Sequence, residues 1–177
     1  MSEASETADE DLSRRLAKIR LAVFDVDGTL TDGRVVYAGA AEQQSFSVKD
    51  GYALARLKHA DIAQVWITGR GCEATERRAR ELGVTELLLE VRDKTAALAE
   101  VQARLGLSKE KTLVMGDDIP DLEMRAGAEL FAAPRDAAPE VVEHADILSA
   151  FDGGAGAARE VCRRLLLAQG AWLGSEG

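Results

Sequence analysis

The sequence predicts an α/β fold in which a parallel sheet is covered on both faces by helices. Short apolar runs alternate with segments of helical period, and only brief connections join them. Several of those apolar runs carry no alternation of polar residues, as expected of strands buried on both faces. Polar residues collect where these runs end, which is where ligands bind in open α/β sheets.

Residues 1–11 are acidic, small and polar with no apolar period, so they are expected to be disordered. Leu12, Leu16 and Ile19 recur at helical spacing and predict a short helix over 12–20, leading into a first strand at 21–25. Turns at Gly33 and Ala38-Gly39-Ala40 flank Val35-Val36-Tyr37, and the chain returning over 44–48 predicts a β-hairpin. A helix over 51–59 and a strand over 62–68 follow. The next helix, 72–82, closes at Gly83 as a C-cap. Leu87-Leu88-Leu89 reads as a short buried strand. A helix over 93–105 presents Ala97, Leu98, Val101 and Leu105 on one face and ends at Gly106. A strand at 112–115 runs into Gly116-Asp117-Asp118, with Pro120 suited to the first turn of a helix. Strand 129–132, helix 138–143, strand 146–148 and helix 155–169, closed by Gly170, complete a single domain over 12–170 with a tail at 171–177.

Composition narrows the function. With 177 residues, 46% hydrophobic and 30% charged, the chain can build one sizeable core. A formal charge of −9 argues against nucleic acid as the main partner. No apolar stretch reaches the length of a membrane span, and the acidic start is unlike a signal peptide, so a cytoplasmic protein is expected. The two cysteines, Cys72 and Cys162, lack metal-ligand spacing and read as reduced thiols. His59 and His144 read as surface residues.

The run Val23-Phe24-Asp25-Val26-Asp27-Gly28-Thr29-Leu30 carries the chemistry. Side chains two apart on an extended backbone share a side, so Asp25 and Asp27 can converge on one ligand while Gly28 turns the chain away. A calcium-binding loop is excluded, because Leu30 and Val36 stand where its glycine and bidentate glutamate belong. A nucleophilic carboxylate beside an acid/base partner and a divalent cation suits this arrangement. Thr68, the 90–94 segment with Lys94, and Asp117 with Asp118 stand at the ends of three further strands.

These four motifs, Asp25-Val26-Asp27-Gly28-Thr29, Thr68-Gly69-Arg70, Lys94, and Gly116-Asp117-Asp118-Ile119-Pro120-Asp121, resemble those of the haloacid dehalogenase superfamily of phosphatases, over about residues 20–170. The resemblance implies a Rossmann-like sheet in which Asp25 attacks phosphorus and Asp27 serves as acid and base. Thr68, Gly69 and Lys94 would receive the phosphoryl group. Mg²⁺ would be held by Asp25, the Asp27 backbone carbonyl and Asp117, with Asp118 and Asp121 behind them holding Lys94 or metal-bound water.

Too little chain lies between these motifs for a cap domain, so a capless fold with a β-hairpin flap is expected. Phe46-Ser47-Val48-Lys49-Asp50-Gly51-Tyr52, the Gly153-Gly154-Ala155-Gly156 segment and Leu166-Leu167-Ala168-Gln169-Gly170 resemble the capless subfamily of 3-deoxy-D-manno-octulosonate 8-phosphate phosphatases. Thr29, Lys49 and Leu89-Glu90 depart from its common pattern. That resemblance implies a small-molecule sugar acid phosphate as substrate, a homotetramer, and Lys49 and Arg70 as contacts for the remote carboxylate. Alternatives are a 9-phosphate phosphatase of a nine-carbon sialic-type acid and a noncatalytic oligomerisation module.

Overall fold

A computed structural model describes residues 3–39 and 41–172. Six parallel strands form the central sheet: β1 (Leu21–Phe24), β4 (Ala63–Ile67), β5 (Glu86–Leu88), β6 (Thr112–Met115), β7 (Leu130–Ala133) and β8 (Ile147–Leu148). Their order is β5-β4-β1-β6-β7-β8. β1 is central, with Phe24 opposite Trp66 of β4 on one side and Met115 of β6 on the other. The chain builds outward from β1 in one direction and then returns to build in the other. The crevice beyond the β1 and β6 carboxyl ends is therefore a topological switch point.

Side-chain alternation along the buried strands splits the core into two layers. Ala22, Phe24, Trp66, Leu113 and Met115 face one layer, with Leu54, Leu57, Val161 and Leu165 from α2 (Val48–Leu57) and α7 (Ala157–Ala168). Leu21, Val23, Val65, Ile67, Val114 and Phe131 face the other, with Leu98 and Val101 from α4 (Lys94–Leu105). Both faces of the sheet are thus dry, which is why these strands read as apolar runs. Asp50 ties α2 to α7. Its buried carboxylate accepts from the backbone N–H of Arg159 at 2.7 Å and of Gly156 at 3.2 Å, across the positive end of α7.

Three local expectations shift. α1 spans Glu3–Leu16, so the segment expected to be disordered is helical from Glu3, and the helix ends before residue 20. Leu12 and Leu16 seat the second half of this helix against the core, and Arg14 and Arg15 in its last turn complement the macrodipole. The hairpin pairs β2 (Val36–Ala38) with β3 (Ala41–Gln43), earlier than the return expected at 44–48. The reason is Ser47, whose side chain accepts from the Asp50 N–H and starts α2 at Val48, three residues before Gly51. β1 also ends at Phe24, although the Asp25 N–H extends the ladder by donating to Met115 O at 2.9 Å.

Between β1 and β4 lie only the hairpin and α2 with a 3₁₀ turn. Between β4 and β6 lie α3 (Glu73–Leu82), β5, α4 and another 3₁₀ turn. Among the described residues no cap domain stands over the sheet edge. The two-stranded flap leaves Val36 and Tyr37 exposed.

Candidate active site

The carboxyl ends of β1, β4 and β6, together with the start of α4, converge on one cavity of about 280 Å³. It is lined by Asp25, Asp27, Thr68, Arg70, Lys94 and Asp117 among others. A groove of about 490 Å³ between α1 and α7 is larger but holds none of the motif residues.

Asp25 is 4% exposed and stands directly after β1. The chain then folds back in a tight turn, with the N–H groups of Leu30 and Thr31 both donating to Val26 O. Gly28 makes this turn at φ +94°, and a Cβ there would lie 2.1 Å from Asp117 Oδ2. Only glycine meets both demands, the left-handed backbone and the close approach. Thr29 donates to Asp117 Oδ1 at 2.9 Å, a role its place in the first motif did not announce. From behind, Gly154 N–H donates to Thr29 O at 3.1 Å, and a Cβ on Gly153 would fall 1.8 Å from Gly28 O. The glycine pair before α7 therefore buttresses the nucleophile turn.

Lys94 is the first residue of α4, whose N-cap Asp93 accepts from Ala96 N–H at 2.8 Å. An ammonium at the positive end of a helix opposes the macrodipole, so other contacts hold it there. Its Nζ donates to Asp25 Oδ1 and to Asp121 Oδ1, both at 2.6 Å, and it is 7% exposed. Asp121 Oδ2 accepts from the N–H groups of Asp117 at 3.1 Å and Asp118 at 3.3 Å. Gly116 lets Asp121 approach, since a Cβ there would meet the Asp121 Cβ at 2.1 Å.

Carboxylate oxygens of Asp25, Asp117 and Asp121 lie within 4.8 Å of one another, around a single ammonium. Burial, then the Asp121 charge, push the Asp25 carboxyl well above its ordinary value against the pull of Lys94. The same two causes raise Asp117 to about 6, against the Thr29 hydrogen bond. Burial alone would lower Lys94, but Asp25 and Asp121 outweigh it and hold the ammonium above its ordinary value. Three carboxylates against one cation leave an excess of negative charge, and all the donors are hard oxygens. Such a site fits Mg²⁺.

Asp27 sits apart from this cluster. Its Oδ1 accepts from Gln44 Nε2 at 2.8 Å and its Oδ2 from Thr68 Oγ1 at 3.2 Å. Thr68, buried at the end of β4, also accepts from the Arg70 N–H at 3.1 Å. Arg70 Nη2 donates to both oxygens of Glu42, each at 2.8 Å, and so joins the flap to the cavity.

The structure brings together Asp25, Asp27, Thr68, Gly69, Arg70, Lys94, Asp117, Asp118 and Asp121 along one cavity. Two placements bear on the sequence reading. Of the two acids expected to hold Lys94 or metal-bound water, Asp118 does not reach Lys94; its carboxylate caps α5 (Ile119–Leu122), accepting from Ile119 N–H at 2.8 Å. Lys49 lies outside the cavity, because the Ser47 cap turns it onto the exposed side of α2 while Asp50 faces inward. Asp121 is the acid that receives Lys94, and its carboxylate also belongs to the cluster of three. Glu42, Gln44 and Thr75 were missed. The hairpin that supplies Glu42 and Gln44 belongs to a separate sheet, and no spacing in the sequence says which way it leans.

Comparison with known proteins agrees with this geometry. A family model described as haloacid dehalogenase-like hydrolase matches residues 86–160. The chain is 38% identical over 169 residues to the 3-deoxy-D-manno-octulosonate 8-phosphate phosphatase KdsC of Yersinia pestis, covering 95% of this chain and 90% of that one. The Escherichia coli K12 protein of the same name is 37% identical over 162 residues, covering 90% and 86%. The crystal structure of the Yersinia pestis phosphatase superposes with a TM-score of 0.90 at 39% identity, over 95% of this chain and 91% of that chain. The Moraxella catarrhalis phosphatase, solved in complex with magnesium ion, phosphate ion and a KDO molecule, gives a TM-score of 0.89 at 33% identity over 92% and 94%. The motifs, the sheet order and this identity along nearly the whole chain lead to one conclusion: the chain belongs to the haloacid dehalogenase-like hydrolases, in the family of the 3-deoxy-D-manno-octulosonate 8-phosphate phosphatases, which are phosphoric monoester hydrolases.

Proposed function

We propose that the protein hydrolyses 3-deoxy-D-manno-octulosonate 8-phosphate to the free sugar acid and phosphate, with Mg²⁺ as cofactor. The observation that carries this reading is the buried cluster of Asp25, Lys94, Asp117 and Asp121 beside Asp27 and Thr68, at the switch point of the sheet. The Moraxella catarrhalis relative, which binds magnesium, phosphate and KDO, supports both the ion and the sugar acid.

In this mechanism the Asp25 carboxylate attacks phosphorus, the P–O bond to the sugar breaks, and an aspartyl phosphate forms. Asp27 gives its proton to the departing alkoxide. It then takes a proton from the water that attacks the phosphorus of the aspartyl phosphate, which releases phosphate and restores Asp25. Lys94, held 2.6 Å from Asp25, pulls the nucleophile toward its ionised form against burial and the Asp121 charge, and supplies positive charge to the phosphoryl oxygens. Thr68 and the backbone N–H groups beyond it offer neutral donors to the same oxygens. The Asp25 and Asp117 carboxylates and the Asp27 carbonyl would hold Mg²⁺, which would supply further positive charge to the phosphoryl group. Arg70 takes the remote carboxylate by exchanging Glu42 for it, a bidentate contact suited to a guanidinium. The assembly is a homotetramer, and the two free, buried cysteines are in keeping with the cytoplasm.

Phosphate release from purified protein with Mg²⁺ tests the reading. It is expected to be faster from the eight-carbon substrate than from a nine-carbon sialic-type acid 9-phosphate, and Asp25→Asn is expected to abolish it without loss of fold. Turnover by Asp25→Asn near the wild-type rate would remove the covalent mechanism.

A further inference from the structure

We infer that Gln44 and Thr75 are positioning residues that set the rotation of the Asp27 carboxyl, so that Oδ2 is the oxygen that exchanges a proton with the leaving group. This rests on the acid/base role given to Asp27 above. Thr75 lies in the first turn of α3, 1% exposed, and its hydroxyl donates to Gln44 Oε1. With its oxygen engaged there, the Gln44 amide has only N–H donors to present on the other side. Its Nε2 donates to Asp27 Oδ1 at 2.8 Å.

An amide N–H cannot accept, so the oxygen facing it holds no proton along that direction. The proton of the acid form therefore resides on Oδ2, 3.2 Å from Thr68 Oγ1. Thr68 can meet both forms of Asp27. Its hydroxyl donates when Oδ2 is ionised and accepts when Oδ2 is protonated, since a hydroxyl has two lone pairs and the Arg70 N–H uses one. Asp27 is thus gripped at both oxygens, from the hairpin arm on one side and from β4 on the other. Without Gln44 the carboxyl can turn, and its proton is no longer aimed.

A misplaced general acid harms a reaction only as far as the leaving group needs the proton. Phenyl phosphate and 2,4-dinitrophenyl phosphate share the aryl ester linkage and lack a carboxylate, yet the dinitrophenolate departs without protonation. Gln44→Ala is expected to lower kcat/KM for phenyl phosphate by about tenfold to a hundredfold, part of what a positioned acid contributes, and to leave the dinitrophenyl ester within about threefold. Thr75→Val, buried and far from substrate, should show the same selectivity at smaller size, and Thr75→Ser should restore wild-type behaviour. Thermal unfolding of each variant separates these effects from loss of fold. Equal losses on the two esters, or no loss with Gln44→Ala, would overturn the inference while leaving the phosphatase reading in place. Hydrolysis of phenyl phosphate by Asp27→Asn near the wild-type rate would remove the acid/base role of Asp27 and this inference with it.

Discussion

Replacing Asp117 with asparagine should abolish activity and yet stabilise the metal-free protein. Asp117 shares its neighbourhood with Asp25 and Asp121, and the one ammonium there pairs with those two, leaving Asp117 only the Thr29 hydroxyl. Burial and the Asp121 charge raise its pKa from 3.8 to about 6. At 1.36 kcal/mol per unit, that rise corresponds to about 3 kcal/mol of strain in the ionised form, an upper bound because the neighbouring carboxylates share it. Asparagine keeps the Thr29 hydrogen bond through its Oδ1 and removes the charge. In EDTA near neutral pH the variant is expected to gain about 1–3 kcal/mol, or about 3–10 °C in Tm for a chain of this size. The native carboxyl, with its raised pKa, holds a proton that the unfolded chain has already released, so this stability is present at low pH and lost as pH rises from about 4 to about 6. The advantage of Asp117→Asn should accordingly be near zero at the bottom of that window and complete above it. Excess MgCl₂ should reverse the order, because ligand binding stabilises only the protein that retains the site. Scanning calorimetry of both proteins across this pH range, with EDTA or MgCl₂, measures all of these quantities. A variant no more stable than wild type in EDTA, or an advantage independent of pH, would refute the repulsion argument.

Two further outcomes are expected. Arg70→Ala should lower kcat/KM for 3-deoxy-D-manno-octulosonate 8-phosphate by about tenfold to a hundredfold while sparing phenyl phosphate, because it removes a charge-assisted contact remote from phosphorus. Lys49→Ala, outside the cavity, should change either rate by no more than about twofold, as for an ordinary surface substitution, and steady-state kinetics on both esters checks the pair. Tyr37, Val48 and Tyr52 are 75%, 82% and 54% exposed, apolar surface that neighbouring copies would cover in the proposed tetramer. Light scattering at micromolar concentration is therefore expected to give four times the 19.0 kDa chain mass, and the mass of one chain would refute the tetramer.

The sequence determined the alternating strands and helices, the parallel sheet and the principal reacting groups, because these depend on local rules. Buried parallel strands must be apolar, so Leu21–Phe24 and Thr112–Met115 stand out along the chain. Carboxylates at strand ends with a glycine close by mark a turn into a site, and Asp25 and Asp27 before Gly28 and Asp117 after Gly116 were legible for that reason. Tertiary structure alone decided how the groups are shared among partners. Asp121 rather than Asp118 reaches Lys94, because Asp118 begins α5 and its carboxylate is spent on the cap. Lys49 is turned outward by a helix that Ser47 caps and that starts at Val48, three residues before the glycine expected to begin it. Gln44 and Glu42 reach Asp27 and Arg70 only because the hairpin folds over a sheet to which it is not hydrogen-bonded. Periodicity and spacing report what a residue does within its own element. The direction in which one element leans on another is set by packing between segments distant in sequence, and no local pattern encodes it.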